Sequence, residues 1–214
     1  MKVCLISAGQ MQPPERSCGA LQKVAYNLGR MLVLSGYEVT MVAAEGSYLE
    51  GGTVIAACPP MLAAVIETER AISQAAETVK CDVYLDVSHH HRTAYAHPRK
   101  SILLHEDNTP VAKHPHPVFI SKAQRQRCYH WKHHARIIPN RLILPTSFSF
   151  LPDGPLSAAQ HDVALFLGNI VHHKGAHLAI ELAKRAGIKL WVAGPLYDFS
   201  PFAHMYSQRV LNMC

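Results

Sequence analysis

The sequence predicts an α/β protein: a doubly wound, Rossmann-like parallel sheet followed by an incomplete second Rossmann-like βαβ unit. Short apolar runs alternate with longer amphipathic segments, as in strands covered by helices on both faces. The length of 214 residues suits one domain plus part of another. The 49% apolar and 17% charged fractions exclude a disordered chain.

A βαβ unit opens the chain. The apolar run at residues 2–7 predicts a buried strand, and residues 9–19 predict an ordered loop. Apolar residues at helical spacing then predict a helix from about Leu21 that stops at Gly36. A second apolar run at residues 38–44 completes the unit, so its two strands are expected to be parallel.

The same alternation continues along the first part of the chain. Further elements are predicted as a strand at 53–57, a helix from about 61 to 79, strands at 82–87, 101–105, 118–121 and 136–139, and a helix from Ser121. Residues 1–145 are therefore predicted to form one domain.

A second unit is predicted after a linker. Residues 146–161 are rich in proline and serine, which favours a linker. Strands at 162–167 and 189–193, with a helix at 174–186 between them, predict an incomplete βαβ unit in residues 162–214. Such a unit leaves sheet edges unpaired. We expect it to dock on the first domain, on a partner chain or on residues outside this sequence.

Charge and cysteine usage limit the cellular setting. The first apolar run is short for a secretory signal, and the six cysteines include no C-x-x-C, so we expect free thiols and a cytoplasmic protein. The net charge is +6, but no Lys/Arg run is longer than Arg99-Lys100. This pattern favours an anionic ligand or a peripheral membrane surface over nucleic acid.

Two loops that lead into helices are candidate phosphate sites. Gly19 ends the first loop, where a missing side chain lets an anion approach backbone N–H groups. A packing role for Gly19 is the alternative. Lys174 lies in the second loop, where a lysine opposes the helix dipole and favours a diphosphate. A solvated lysine is the alternative. The absence of G-x-G-x-x-G disfavours a nicotinamide cofactor, and no cofactor is expected.

Six segments carry a resemblance to one enzyme family. Residues 121–125 read S-K-A-Q-R, and residues 166–175 read F-L-G-N-I-V-H-H-K-G. The remaining segments are Pro13-Pro14 with 18–28, then 35–40, 138–141 and 193–195. In this order they resemble the retaining GT-B glycosyltransferases of family 4, which transfer sugars from nucleoside diphosphate donors. The resemblance extends over the whole chain.

The resemblance implies two Rossmann-like domains that face a cleft, with the acceptor on the first and the donor on the second. It implies no metal requirement. The donor-binding candidates are Gly19, Asn169, Lys174 and Gly175. Three residues depart from the family pattern: Asn169 replaces an arginine, Gln22 a glutamate and Arg141 a glycine. The family's paired glutamates would follow Cys214, so we expect the donor domain to be truncated.

Histidines and polar residues after two strands are candidates for the acceptor side. The triplet at 89–91 follows the strand at 82–87, and the resemblance makes His89 and His91 candidate catalytic residues near the transferred sugar. An exposed polar loop is the alternative. His105, Glu106 and Asn108 close another strand at the same edge and are candidates for binding acceptor hydroxyls. Asn108 capping a turn is the alternative there.

The fifteen histidines raise the question of a metal site. His130, His133 and His134 fall at i, i+3 and i+4 of the helix predicted from Ser121, so two of them are able to share a metal. No H-E-x-x-H accompanies them. We expect adventitious nickel or zinc binding and no physiological metal site.

Two functions remain open at this point. The first is a retaining glycosyltransferase that uses a nucleotide sugar and a carbohydrate, lipid-linked or small-molecule acceptor. The second is a catalytically inactive, glycosyltransferase-like binding or scaffold module, acting as a homo-oligomer or completed by a partner chain. Asn169 and the missing glutamates favour the second. A histidine-rich metal-binding protein is a weaker third hypothesis.

Overall fold

The structure is a computed structural model that describes residues 1–9, 19–60, 66–106, 112–127, 135–139, 163–196 and 201–214. The chain forms two compact units, Met1–Leu144 and Pro145–Cys214. The predicted linker at 146–161 lies outside the described residues. No helix in these ranges is both long and apolar enough to cross a membrane.

The first unit is built on a seven-stranded parallel sheet. Its strands are β1 Lys2–Ile6, β2 Glu38–Ala44, β3 Thr53–Cys58, β4 Val83–Asp86, β5 Ser101–His105, β6 Pro117–Phe119 and β7 Arg136–Ile137. Their order is β3-β2-β1-β4-β5-β6-β7, and every neighbouring pair is parallel. The order reverses between β1 and β4. The predicted fold class is therefore confirmed.

Side-chain alternation along the strands explains how helices cover both faces of this sheet. The helices described in this unit are α1 Ala20–Leu34, α2 Ile66–Glu77, α3 Arg92–Ala96 and α4 Lys122–Arg127. Leu5 and Met41 point towards one face, where they pack with residues of α1 such as Leu28. Cys4 and Ile6 point towards the other face and pack with Ile72 of α2. Burying each large apolar side chain stabilises the fold by about 1.5–3 kcal/mol.

Most predicted element positions agree with the structure to within a few residues. The strands at 38–44 and 101–105 have the predicted bounds, whereas β4 and β6 are shorter than the apolar runs that predict them. The helix α3 is missing from the prediction because five residues are too few to show a helical period. The first residues of the predicted helix at 61–79 lie outside the described residues.

In its described residues, 163–196 and 201–214, the second unit forms a two-stranded parallel sheet and two α-helices. Its elements are β8 Val163–Leu167, a 3-10 turn at His172–Lys174, α5 Ala176–Ala186, β9 Lys189–Ala193 and α6 Pro201–Met213. The predicted strands are present, and the predicted helix begins two residues later than expected. The helix α6 is not predicted, since exposed apolar residues such as Phe202 and Met205 hide its buried face.

Only one face of the β8–β9 sheet is covered by the described elements. Phe166 and Val192 pack against Ile180 of α5 and Tyr206 of α6. Side chains alternate along a strand, and Leu167 and Trp191 on the opposite face are 77% and 62% exposed. No described element therefore covers this apolar face of the β8–β9 sheet, which we call the bare face.

We expect Gly194→Ala to destabilise the second unit. A Cβ on Gly194 would overlap the carbonyl oxygen of Gly168, so the ends of β8 and β9 would have to separate. Overpacking of this kind costs about 1–3 kcal/mol. Hydrogen exchange should become faster in peptides from β8 and β9.

Gly168→Ala is the matched control for this prediction. Its Cβ would meet only the Phe166 ring at 3.9 Å, an ordinary contact. Equal exchange protection in the two variants would contradict the close approach of these strand ends.

Candidate functional site

Buried polar residues collect at the carboxyl ends of strands in the first unit. Asp86 is the last residue of β4, and Ser88 and His91 follow it in the loop to α3. His105 is the last residue of β5, the neighbouring strand. In open α/β sheets ligands bind at this edge, where the strand order reverses. Here the reversal lies between β1 and β4.

Asp86 is a fully buried carboxylate held by several donors. The hydroxyl and N–H of Ser88 donate to its Oδ1 at 2.6 and 3.0 Å, and the N–H of Ala94 donates to Oδ2 at 2.9 Å. Burial acts to raise the pKa of Asp86, but His91 and these hydrogen bonds outweigh it and lower the pKa below its usual value. Asp86 is thus an ionised anchor for the loop between β4 and α3.

His91 links this anchor to the end of β5. Its Nδ1 lies 3.7 Å from Oδ1 of Asp86, and its Nε2 lies 3.3 Å from Nδ1 of His105. The backbone of His91 is left-handed, with φ 49° and ψ 35°. Few residues other than glycine adopt this conformation, and it is held here by the N–H of His91, which donates to the Ser88 hydroxyl at 3.2 Å.

A second buried carboxylate approaches the same loop from α2. Glu69 is 2% exposed, and interactions of its carboxyl group with Ser88 and with the backbone of His89 act to lower its pKa. Burial and then the charge of Asp86 raise the pKa of Glu69. The pKa values of the two carboxyl groups therefore move in opposite directions within one cluster, a pattern found where side chains exchange protons.

The acceptor-side candidates differ in accessibility. His89 is half-buried and His90 exposed, whereas His91 and His105 are 3% and 1% exposed. Glu106 is half-buried just beyond β5. Asn108 lies outside the described residues.

Asp86 and Glu69 are absent from the sequence-based candidates. In the sequence, Asp86 ends an apolar strand two residues before a serine. This arrangement is common in turns, so it does not by itself indicate a functional residue. Glu69 gave no signal, because its burial depends on the packing of α2.

Gly19 is the N-cap residue of α1 in an extended conformation. The side chain of Gln22 folds back over it, so a Cβ on Gly19 would lie 2.6 Å from Gln22 Oε1. Gln22 is buried and donates from Nε2 to the carbonyl of Ala8 at 3.5 Å. The close approach of Gln22 thus gives a physical reason for a glycine at position 19, as the packing role requires. Anion binding at Gly19 stays a prediction.

The donor-side candidates of the second unit lie in one loop. Asn169 follows β8 and is half-buried, and its carbonyl accepts the N–H of Val171 at 2.9 Å. Lys174 is exposed in the 3-10 turn, and its N–H donates to the carbonyl of Val171 at 3.0 Å. Gly175, with φ 77°, ends the turn and begins α5. The loop thus brings an ammonium group and a helix N-terminus to the carboxyl end of β8.

A histidine–tyrosine cluster shapes the start of α5. The N–H of His177 donates to the Tyr206 hydroxyl at 3.3 Å, and that hydroxyl lies 2.8 Å from Nδ1 of His177. The ring of His172 stacks on His177, with 5.1 Å between ring centroids. The sequence did not point to this cluster because α6, which supplies Tyr206, was not predicted.

Within the described ranges, no three His, Cys, Asp or Glu side chains are placed to hold one metal ion. His130, His133 and His134 lie outside the described residues. The metal hypothesis gains no support from the described cluster at 86–105.

Comparison with known proteins identifies a fold. No protein-family model and no curated protein matches the sequence. Among solved structures, the chain is similar to AviGT4, a glycosyltransferase involved in avilamycin A biosynthesis, with 23% identity and a TM-score of 0.61. The two share a fold. The match covers 99% of this chain and 62% of the AviGT4 chain, so this chain spans less than two thirds of that protein's length.

We expect Glu69→Gln to stabilise the protein at neutral and alkaline pH. Because the folded pKa of Glu69 is raised, its favourable contribution to stability is complete below the ordinary glutamate pKa of 4.5 and is lost as pH rises through the folded pKa. Glutamine keeps the shape of the protonated acid without this loss. The urea midpoint of Glu69→Gln should exceed that of the wild type at pH 8, and the difference should shrink towards pH 4.5.

Glu67→Gln serves as the control, since Glu67 is an exposed residue of the same first helical turn. If both variants shift the urea midpoint equally at every pH, the buried state of Glu69 has no effect on stability and the interpretation is wrong.

Proposed function

We propose that the chain is a retaining GT-B-type glycosyltransferase of family 4, which moves a sugar from a nucleoside diphosphate sugar to an acceptor. The observation that carries the proposal is the loop at 168–175. It presents Lys174 and the start of α5 at the carboxyl end of a parallel strand. The fold shared with the glycosyltransferase AviGT4 supports the same function.

The proposed donor step depends on charge. When the sugar leaves, negative charge grows on the diphosphate, and groups aimed at that charge lower the barrier. Lys174 supplies an ammonium group, the first N–H groups of α5 supply partial positive charge, and Gly175 leaves room for close approach. The side-chain amide of Asn169 is a neutral donor in the same loop.

The proposed acceptor side lies in the first unit. Of the candidates that the structure describes, His89 and Glu106 are accessible for binding hydroxyl groups of a carbohydrate, lipid-linked or small-molecule acceptor. We place the protein in the cytoplasm, with peripheral membrane contact where the acceptor is lipid-linked. The free thiols of the four cysteines in the described ranges are consistent with a reducing compartment.

A second candidate function is supported by two observations. Asn169 stands where the family has an arginine, so the loop has one cation fewer for a leaving diphosphate. The bare apolar face with Leu167 and Trp191 is suited to contact with another chain. The second candidate is therefore an inactive binding or scaffold module, completed by a partner chain or by a second copy.

We expect the wild-type chain to bind one of the UDP, GDP or ADP sugars in isothermal titration, and Lys174→Ala to weaken that binding about 10- to 100-fold. This range corresponds to the loss of a charge-assisted hydrogen bond. Lys189→Ala is the matched control, because Lys189 is an exposed lysine of the same unit at the amino end of β9. Equal affinities for both variants, or no binding by the wild type, would contradict the donor site.

Turnover separates the two candidate functions. Release of nucleoside diphosphate with an acceptor panel, and a product of retained anomeric configuration by NMR, would support the enzyme. Binding without turnover would support the module.

A further inference from the structure

A continuous set of contacts connects the ends of β4 and β5. It runs from the ionised carboxylate of Asp86 to Nδ1 of His91, and from Nε2 of His91 to Nδ1 of His105. All three residues are at most 3% exposed. The rings of His105 and Phe119, which ends β6, form a T-shaped contact with 5.8 Å between ring centroids. These contacts connect three neighbouring strand ends.

The geometry restricts where protons lie on the two rings. The ionised carboxylate of Asp86, at 3.7 Å, favours a proton on Nδ1 of His91 by charge attraction, and a neutral imidazole that carries its proton on Nδ1 has none on Nε2. Nε2 of His91 is then the acceptor, so Nδ1 of His105 must donate across the 3.3 Å contact. Both rings would thus carry their proton on Nδ1.

We propose that Asp86, His91 and His105 form a tautomer relay, in which the charge of Asp86 fixes the position of the proton on His91 and His91 in turn fixes it on His105. His91 and His105 are then positioning residues and do not touch the sugar. The relay holds the loop at 88–91 in one conformation and so presents His89 and His90 at the carboxyl end of β4. In this respect the inference rests on the proposed function and assigns different roles within its acceptor side.

The backbone gives the relay a physical purpose. His91 is left-handed, a conformation that costs a non-glycine residue about 1–2 kcal/mol. The carboxylate of Asp86 and the ring of His105 fix the side chain of His91, and the Ser88 hydroxyl fixes its N–H. Without the ring contacts the loop is free to relax, and His89 and His90 would change direction.

Nitrogen NMR of the ¹⁵N-labelled full chain reads the relay directly, without substrate. The wild type should show both rings protonated at Nδ1 and bare at Nε2. Asp86→Asn removes the negative charge that favours a proton on Nδ1 of His91, so the preference of both rings for Nδ1 should weaken. His91→Asn keeps a side chain that tolerates the left-handed backbone. The asparagine still reaches Asp86 but not His105, so the tautomer of His105 should change.

Amide exchange at 88–91 tests positioning itself and should be faster in His91→Asn than in the wild type. His97→Gln is the control, since His97 stacks on Tyr84 outside the relay. Wild-type His91 protonated at Nε2, or rings unchanged in both variants, would overturn the relay. Unchanged amide exchange in His91→Asn would overturn the positioning role.

Turnover distinguishes this inference from the proposed function. With an active enzyme, His91→Asn should lower kcat on the order of 10- to 100-fold, while nucleotide-sugar affinity, a property of the second unit, stays at the wild-type value. A lost affinity would contradict a role confined to the acceptor side. If the protein shows the predicted tautomers but no turnover, the relay is supported, and only the proposed glycosyltransferase activity is refuted.

Discussion

Parallel strand pairing is the constraint on which the rest of the structure depends. Because all seven strands of the first unit run in one direction, the residues that end β4, β5 and β6 meet at one edge. The β8–β9 pair of the second unit repeats the arrangement and brings the loop with Lys174 to the equivalent edge. Strand direction thus sets the location of each candidate site. The side chains that follow the strands determine which ligand each site is able to bind.

A buried charge makes the first of these edges specific. An ionised carboxylate without partners would cost several kcal/mol to bury, and the loop after β4 is folded so that donors surround Asp86. The same turn forces His91 into a left-handed backbone and directs its ring at His105. Burial and the charge of Asp86 raise the pKa of Glu69, a second buried carboxyl group, which lies on α2. The loop is therefore held by hydrogen bonds to a buried charge as well as by the buried side chain of Val87.

The fold could be read from the sequence to a greater extent than the site. Apolar runs such as 38–44 and 101–105 predict buried strands because burial on both faces leaves no polar positions. The helix α6 escaped prediction since Phe202 and Met205 are apolar yet exposed, which removes the periodicity. The histidines of 89–91 look alike in the sequence. Only the pairing of β4 with β5 distinguishes His91, which meets His105, from the exposed His90.

If the carboxyl ends of the strands are the ligand-binding edges, a bound nucleotide sugar must lie there, and mapping its position is the most direct test. Hydrogen exchange of the full chain, with and without a saturating nucleotide sugar, locates the protected amides. We expect protection in the loop at 168–175 and in the first turn of α5. Protection confined to the amino ends of β8 and β9, or to the bare face around Trp191, would contradict ligand binding at the carboxyl ends.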